Sequence, residues 1–115
     1  METQKKYEVS FRIWFYTGGD KLLGIGRVEL LERIRKTGSI SSAAKEMKMA
    51  YRQAWQMVEE MNARSNSPLV EKKIGGRSGG GAIVTEAGLK AIDSFHKLED
   101  KVRAFIAKEA KYLDF

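Results

Sequence analysis

Residues 39–62 constrain the fold of this chain more than any other segment. Residues 39–47 contain three serines and two alanines and leave room for a helix of barely two turns, with Ser41 as the predicted N-cap. Lys48 forms the predicted turn, and from Met49 onward apolar residues recur at the spacing of a second helix. A short helix, a tight turn and a second helix together predict a helix-turn-helix motif.

The second predicted helix has an apolar side and a polar side. The polar side can read base edges, because Arg binds guanine and Gln binds adenine through paired hydrogen bonds. A plain amphipathic helix pair would show the same two-sided pattern, so this pattern alone leaves that alternative open. Trp55 and Asn62 lie along the apolar side, and Trp55, like Trp14, is a predicted core anchor. The predicted DNA-binding residues of the motif are Ser41, Ser42, Lys48, Ala50, Tyr51, Arg52, Gln53 and Gln56.

The flanking segments predict short strands and one further helix. Residues 7–16 alternate between apolar and polar side chains, which predicts a half-buried N-terminal strand. Residues 27–36 predict an amphipathic helix that Gly38 ends. Residues 69–74 and 82–85 are strand-like and flank a glycine-rich stretch, which predicts the hairpin called a wing.

The predicted hairpin carries cations beside its glycines. Lys72, Lys73 and Arg77 are predicted DNA-binding residues, because cations and backbone N–H groups suit phosphates. A nucleotide-binding loop is the rival interpretation, and it requires Lys-Ser or Lys-Thr after the last glycine and then a helix. Here the strand-like sequence Ala-Ile-Val follows the glycines, so no nucleotide cofactor is expected. The sequence shows no nucleophile with a base, so no catalysis is expected.

Residues 85–112 predict one long helix that Thr85 caps. Its apolar residues lie near the seam positions of a heptad repeat, and so wide a stripe favours pairing with a second copy of the chain. Folding of this helix back onto its own domain is the alternative. The predicted dimer-interface residues are Leu89, Ile92, Phe95, Leu98, Val102, Phe105 and Ile106.

Length and composition bound the protein class. With 115 residues and 43% hydrophobic content, the chain fits one domain, residues 1–115. The net charge of +6 favours an anionic partner. The polar N-terminus lacks a signal peptide, and no apolar run reaches the roughly 20 residues that span a bilayer, so a cytoplasmic protein is expected. The chain has no cysteine, and its single histidine, His96, has no partner at metal-ligand spacing, so no metal site is expected.

The residues of the motif and the wing resemble a known family. They are similar to the N-terminal DNA-binding domain of ModE-type molybdate-responsive regulators, over about residues 26–90, and more distantly to LysR-type domains. In the helix-turn-helix the similar residues are Ser39-Ile40-Ser41, Ala44, Tyr51-Arg52-Gln53-Ala54-Trp55, Val58 and Glu60-Met61-Asn62. In and after the wing they are Leu69-Val70-Glu71, Gly75-Gly76, Gly79-Gly80-Gly81, Ala82, Thr85 and Gly88.

The residues and the resemblance together predict an α+β winged helix-turn-helix over residues 26–84, with an N-terminal strand and a C-terminal dimerisation helix. The resemblance implies a bacterial transcription regulator that binds double-stranded DNA as a homodimer and has a link to molybdate metabolism. Full-length family members continue into oxyanion-binding domains, and no such domain is recognised here, so no small-molecule site is expected in this chain. The alternative function is a winged-helix module that binds a partner protein.

Overall fold

A computed structural model describes residues 4–73 and 81–115, in which helices and short strands follow one another along the chain. The elements are β1 (Phe15–Thr17), β2 (Asp20–Leu23), α1 (Ile25–Thr37), α2 (Ile40–Glu46), α3 (Tyr51–Arg64), β3 (Val70–Lys72), β4 (Ala82–Val84) and α4 (Glu86–Ala110). β1 pairs with β2, and β3 pairs with β4, each as an antiparallel two-stranded sheet. The predicted α+β winged helix-turn-helix is therefore confirmed.

The N-terminal strand is shorter than the alternation of residues 7–16 predicts. Only its end forms β1, because the neighbour of the earlier residues is helix α4 and not a strand. The Tyr7 ring stacks on Phe115 with a centroid distance of 4.4 Å, and the Arg103 guanidinium lies 5.7 Å from the Phe11 ring. Burial follows the alternation in part, since Tyr7 and Phe11 are half-buried and Arg12 is exposed, but Val9 on the apolar side is 45% exposed.

The helix boundaries follow local capping chemistry. α2 starts earlier than predicted, because Ser39 and not Ser41 is its N-cap, and the Ser39 hydroxyl accepts a hydrogen bond from the Ser42 N–H. As predicted, Gly38 ends α1, and it adopts a positive φ of 73°. Thr85 caps α4 as predicted, and its hydroxyl accepts a hydrogen bond from the N–H of Gly88.

The core lies between α1, the helix-turn-helix and the two sheets. The apolar face of α1 is completely buried and forms the centre of the core through Val28, Leu30, Leu31 and Ile34. Phe95 of α4 also belongs to this core, since it is 1% exposed and its ring lies 5.4 Å from that of Phe15. The prediction that Phe95 lies in a dimer interface is therefore wrong. Ile92 packs partly against the same core.

The rest of α4 is largely uncovered. Gly88 and Phe95 are its buried residues, in a molecule that measures 68 × 31 × 21 Å. Leu98 and Phe105 of α4, and Tyr112 two residues beyond its end, follow one another at intervals of seven residues and are 42%, 64% and 70% exposed. Among the described residues, no helix combines the length and the apolar character needed to cross a membrane.

Candidate nucleic-acid interface

The turn between α2 and α3 sets the angle of the motif. Lys48 adopts a φ of 55°, and its N–H donates to the Lys45 carbonyl, while the Met49 N–H donates to the Ala44 carbonyl. A left-handed conformation at a non-glycine residue costs about 1–2 kcal/mol, and the close packing of the two helices offsets this cost. The packing is close because Ala43, Ala44 and Ala54 are small and at most 2% exposed.

The polar side of α3 is open. Tyr51 is 55% exposed, and the side chains of Arg52, Gln53 and Gln56 are exposed as well. These are the residues predicted to read base edges, and the structure brings them together on the first two turns of one helix. Ala50, the N-cap of α3, has no side-chain acceptor, so no cap side chain occupies the first-turn N–H groups.

Further predicted contacts surround the start of α3. Ser41 and Ser42 are exposed on the first turn of α2, and Lys48 is exposed in the turn before α3. Lys73 is exposed just after β3, where its backbone N–H donates to the carbonyl of Gly81 at 2.7 Å. Arg77, the predicted wing contact, lies outside the described residues.

An ion pair holds the polar side of α3 to α1. The Arg27 guanidinium lies 2.6 Å from the Glu60 carboxylate, and Arg64 approaches the same carboxylate at 3.8 Å. The hydrogen bond from Arg27 is the main reason that the pKa of Glu60 lies below its usual value. Gln56 Nε2 lies 3.5 Å from the second Glu60 oxygen, so this pair also reaches a predicted base-reading residue.

The side-chain amide of Asn62 attaches the wing to α3. The Asn62 side-chain oxygen accepts hydrogen bonds from the N–H groups of Leu69 and Val70, at 2.8 and 3.1 Å. Its amide nitrogen donates to the Val70 carbonyl at 2.9 Å. Asn62 thus satisfies backbone groups where the chain enters β3. Sequence reasoning placed Asn62 on the apolar side of the helix but did not identify this role, although an amide on such a side is itself a signal.

The sequence predicted that both tryptophans are buried core anchors, and this prediction is wrong. Trp14 and Trp55 are 39% and 40% exposed. Each indole instead lies beneath a lysine: the Lys21 ammonium is 4.4 Å from the Trp14 ring centroid, and the Lys72 ammonium is 4.2 Å from that of Trp55. Because an indole face attracts a cation, a tryptophan can pair with a lysine at the surface instead of filling the core.

The ammonium group of Lys72, a predicted phosphate contact, is already held by an intramolecular partner. Its Nζ atom lies 2.6 Å from a Glu59 carboxylate oxygen, in addition to its position over Trp55. Glu59 and Trp55 are on α3 and Lys72 is on β3, so this cluster joins the wing to the helix.

Fold and site together define a winged helix-turn-helix protein, with an open polar face on the second helix of the motif. The chain belongs to the family described as "Bacterial regulatory helix-turn-helix protein, lysR family", which matches residues 25–89. A solved crystal structure of a LysR family transcriptional regulator has the same fold, with a TM-score of 0.54 and 19% identity. The similarity covers 72% of this chain and 27% of that one.

More similar sequences carry molybdenum-related names. The chain is 40% identical over 92 residues to the molybdenum-pterin-binding protein MopB of Rhodobacter capsulatus, covering 80% of this chain and 34% of the relative. It is 42% identical over 72 residues to the DNA-binding transcriptional dual regulator ModE of Escherichia coli, covering 63% and 28%. The resemblance to ModE-type regulators is therefore confirmed, and neither name describes an enzyme. The chain spans about a third of the length of these relatives.

Proposed function

We propose that this chain binds double-stranded DNA, with α3 as the recognition helix in the major groove, and regulates transcription from the bound site in the cytoplasm. The observation that carries the proposal is the open side of α3, on which Tyr51, Arg52 and Gln56 are exposed. An α-helix fits the major groove, and Arg and Gln are side chains that form paired hydrogen bonds with single bases.

Positive charge surrounds this open side. Lys45 and Lys48 are exposed immediately before α3, and Lys73 is exposed beside the wing. Ser41 and Ser42, at the start of α2, have hydroxyl groups within reach of the same polyanion in this orientation. Contacts of this kind fix a protein on the phosphate backbone, while Arg52, Gln53 and Gln56 supply the sequence-dependent part. Tyr51 and Ala50 then meet the sugar or the thymine methyl groups at the rim.

We further propose that the active form is a homodimer paired through α4. The exposed row of Leu98, Phe105 and Tyr112 has the heptad spacing of a helix-pairing seam, with Val102 half-buried at its edge. Pairing of this row would remove large apolar side chains from water. Two recognition helices would then face half-sites about one helical turn of DNA apart. Leu89, Ile92 and Ile106 remain predicted contacts at the margins of the interface.

The molybdenum-related names of the relatives support a narrower proposal about regulation. We infer that the genes under control serve molybdate uptake or molybdenum-cofactor metabolism. The similarity that supports this lies in the DNA-binding part, so it bears on which sites are bound and not on what is sensed.

DNA binding is tested by fluorescence anisotropy, with a labelled random duplex at two or more salt concentrations and with fragments selected from genomic DNA. The protein is expected to bind both, more tightly to the selected fragments, with an affinity that falls steeply as salt rises. Arg52→Ala should weaken binding to the selected site by about 1–3 kcal/mol and affect the random duplex much less.

Lys73→Ala is the matched control for Arg52→Ala, because both remove one exposed cation. It should weaken both DNAs equally and reduce the slope of log K against log salt by about 0.9. If Arg52→Ala weakens binding to both DNAs equally, Arg52 does not read bases. No salt-dependent binding to any duplex would favour the alternative, a module that binds a partner protein.

A further inference from the structure

We propose that Lys72 is a positioning residue that holds the wing strands β3 and β4 against the recognition helix, and that it is not a phosphate contact. The proposal rests on the DNA-binding function proposed above. Its starting observation is the Lys72 ammonium, which lies 2.6 Å from Glu59 and 4.2 Å from the Trp55 ring centroid.

The two partners of Lys72 occupy one strip of α3. Trp55 and Glu59 are four residues apart and therefore lie one above the other on the helix surface. Both side chains are exposed, at 40% for Trp55 as a whole and 45% for the Glu59 side chain, so the strip borders the open side that carries Arg52. A lysine from another element has thus been placed along the margin of the proposed reading surface.

Lys72 and Asn62 together fix the direction of the wing. Asn62 binds the backbone at the beginning of β3, and Lys72, at the end of β3, binds residues that precede Asn62 on α3. The strand therefore advances from the C-terminal part of α3 toward the end that carries Tyr51 and Arg52. Seven residues separate Asn62 from Trp55, a distance of about 10 Å along the helix axis. These two attachments set the orientation of β3 along α3, while β4 is held separately by the hydrogen bond from the Ala82 N–H to the Gly38 carbonyl, at 2.8 Å.

The pairing also explains how Glu59 is tolerated beside DNA. Glu59 follows Arg52 by two helical turns and lies on the same side of α3, where an unpaired carboxylate would repel phosphates. The ammonium of Lys72 balances this charge within the protein. A Lys72 that moved to a phosphate would leave Glu59 uncompensated, so the two roles of Lys72 oppose each other.

The variant that tests this inference is Lys72→Met, with Lys73→Met as its matched control on the adjacent residue. An exposed ion pair and a cation–π contact are together expected to change DNA affinity by about three- to tenfold. Lys72→Met should therefore lose that factor with a much smaller change in the slope of log K against log salt than Lys73→Met shows. Lys73→Met should reduce the slope by about 0.9, as expected for a lost phosphate contact.

A charge exchange supplies the rescue. The double variant Glu59→Lys with Lys72→Glu keeps the net charge and can rebuild the pair in reverse, so it should recover affinity to within about threefold of the wild type. A phosphate contact at position 72 predicts the opposite, because the exchange places a carboxylate there. Recovery at the wild-type salt slope separates positioning from a general structural loss, which the exchange would not repair, and from a new phosphate contact at position 59, which would raise the slope.

The contact itself is measured without DNA, through Trp55 fluorescence in a Trp14→Phe background and, as a second measurement, in the wild-type background. Lys72→Met should change the emission, whereas Lys73→Met should not. A salt slope that falls as far for Lys72→Met as for Lys73→Met would overturn the inference, as would unchanged emission or a failed rescue. A wild-type protein that binds no DNA would instead overturn the proposed function, and the emission would then decide the contact alone.

Discussion

Replacement of Gly88 by alanine tests how closely α4 must approach the wing. Gly88 is buried in the first turn of α4, and a Cβ atom there would lie 2.3 Å from the Leu69 carbonyl oxygen and 2.6 Å from a Val84 methyl group. Ordinary contacts begin at 3.4 Å, so the backbone of residue 69 must move by about 1 Å. The same carbonyl accepts a hydrogen bond from the Thr85 N–H at 2.9 Å, which resists that movement.

The expected destabilisation follows from three contributions. Overpacking of a filled site costs about 1–3 kcal/mol. Weakening of the hydrogen bond between Thr85 and Leu69 adds about 0.5–1.5 kcal/mol. The higher helix propensity of alanine offsets about 0.5–1 kcal/mol of this destabilisation, because glycine is a poor helix former. Gly88→Ala should therefore lower the free energy of unfolding by about 1–3 kcal/mol.

Gly26→Ala is the matched control, since Gly26 also lies in the first turn of a helix but has no heavy atom within 4 Å of its added Cβ. It should raise stability by about 0.4–1 kcal/mol. Urea unfolding followed by circular dichroism, at several protein concentrations, measures both variants. If Gly88→Ala unfolds at the wild-type midpoint or above, α4 does not pack against Leu69 and Val84 as closely as the distances indicate.

Two further predictions concern α4. His96 lies 2.6 Å from Glu32 and 3.3 Å from Glu99, and the hydrogen bond with Glu32 is the main reason that its pKa is raised above 6.5. Because the folded state favours the protonated ring, this stabilisation is present below about pH 6.5 and is lost as pH rises through the raised pKa. The free energy of unfolding should therefore vary less with pH over this range in His96→Gln than in the wild type. Phe105→Lys should shift the mass measured by sedimentation equilibrium from dimer to monomer. Asp100→Lys, about 140° away around the helix from Phe105 and at a side chain that is 74% exposed, should leave the dimer intact, and equal dissociation would contradict the proposed seam.

Local signals were sufficient where one segment determines its own conformation. The turn at Lys48 and the caps at Gly38 and Thr85 depend on neighbouring residues only, and the structure has them where the sequence predicts them. The N-cap of α2 was misplaced because Ser39 and Ser41 offer the same chemistry, and the choice between them depends on Ile40, which must enter the core.

Tertiary partners could not be predicted in this way. The apolar stripe of α4 holds one set of residues that faces its own core, such as Phe95, and another that faces water, such as Phe105. Periodicity places both sets on a broad face, but it does not say which neighbour covers each part. The same limit applies to residues 7–16, where the earlier part of the predicted strand lies against helix α4 and only its end forms β1.

The candidate site depends on this long-range part of the fold. Glu59 and Glu60 are adjacent in sequence, yet they lie about 100° apart on α3, with Arg52 and Gln56 on the helix surface between them. Lys72 pairs with the first and Arg27 with the second, each from a different element. Two carboxylates beside a DNA-reading surface would weaken binding if they were unpaired. Since both are compensated from outside the helix, they can anchor α3 on either side of Arg52 and Gln56, and these two side chains stay exposed.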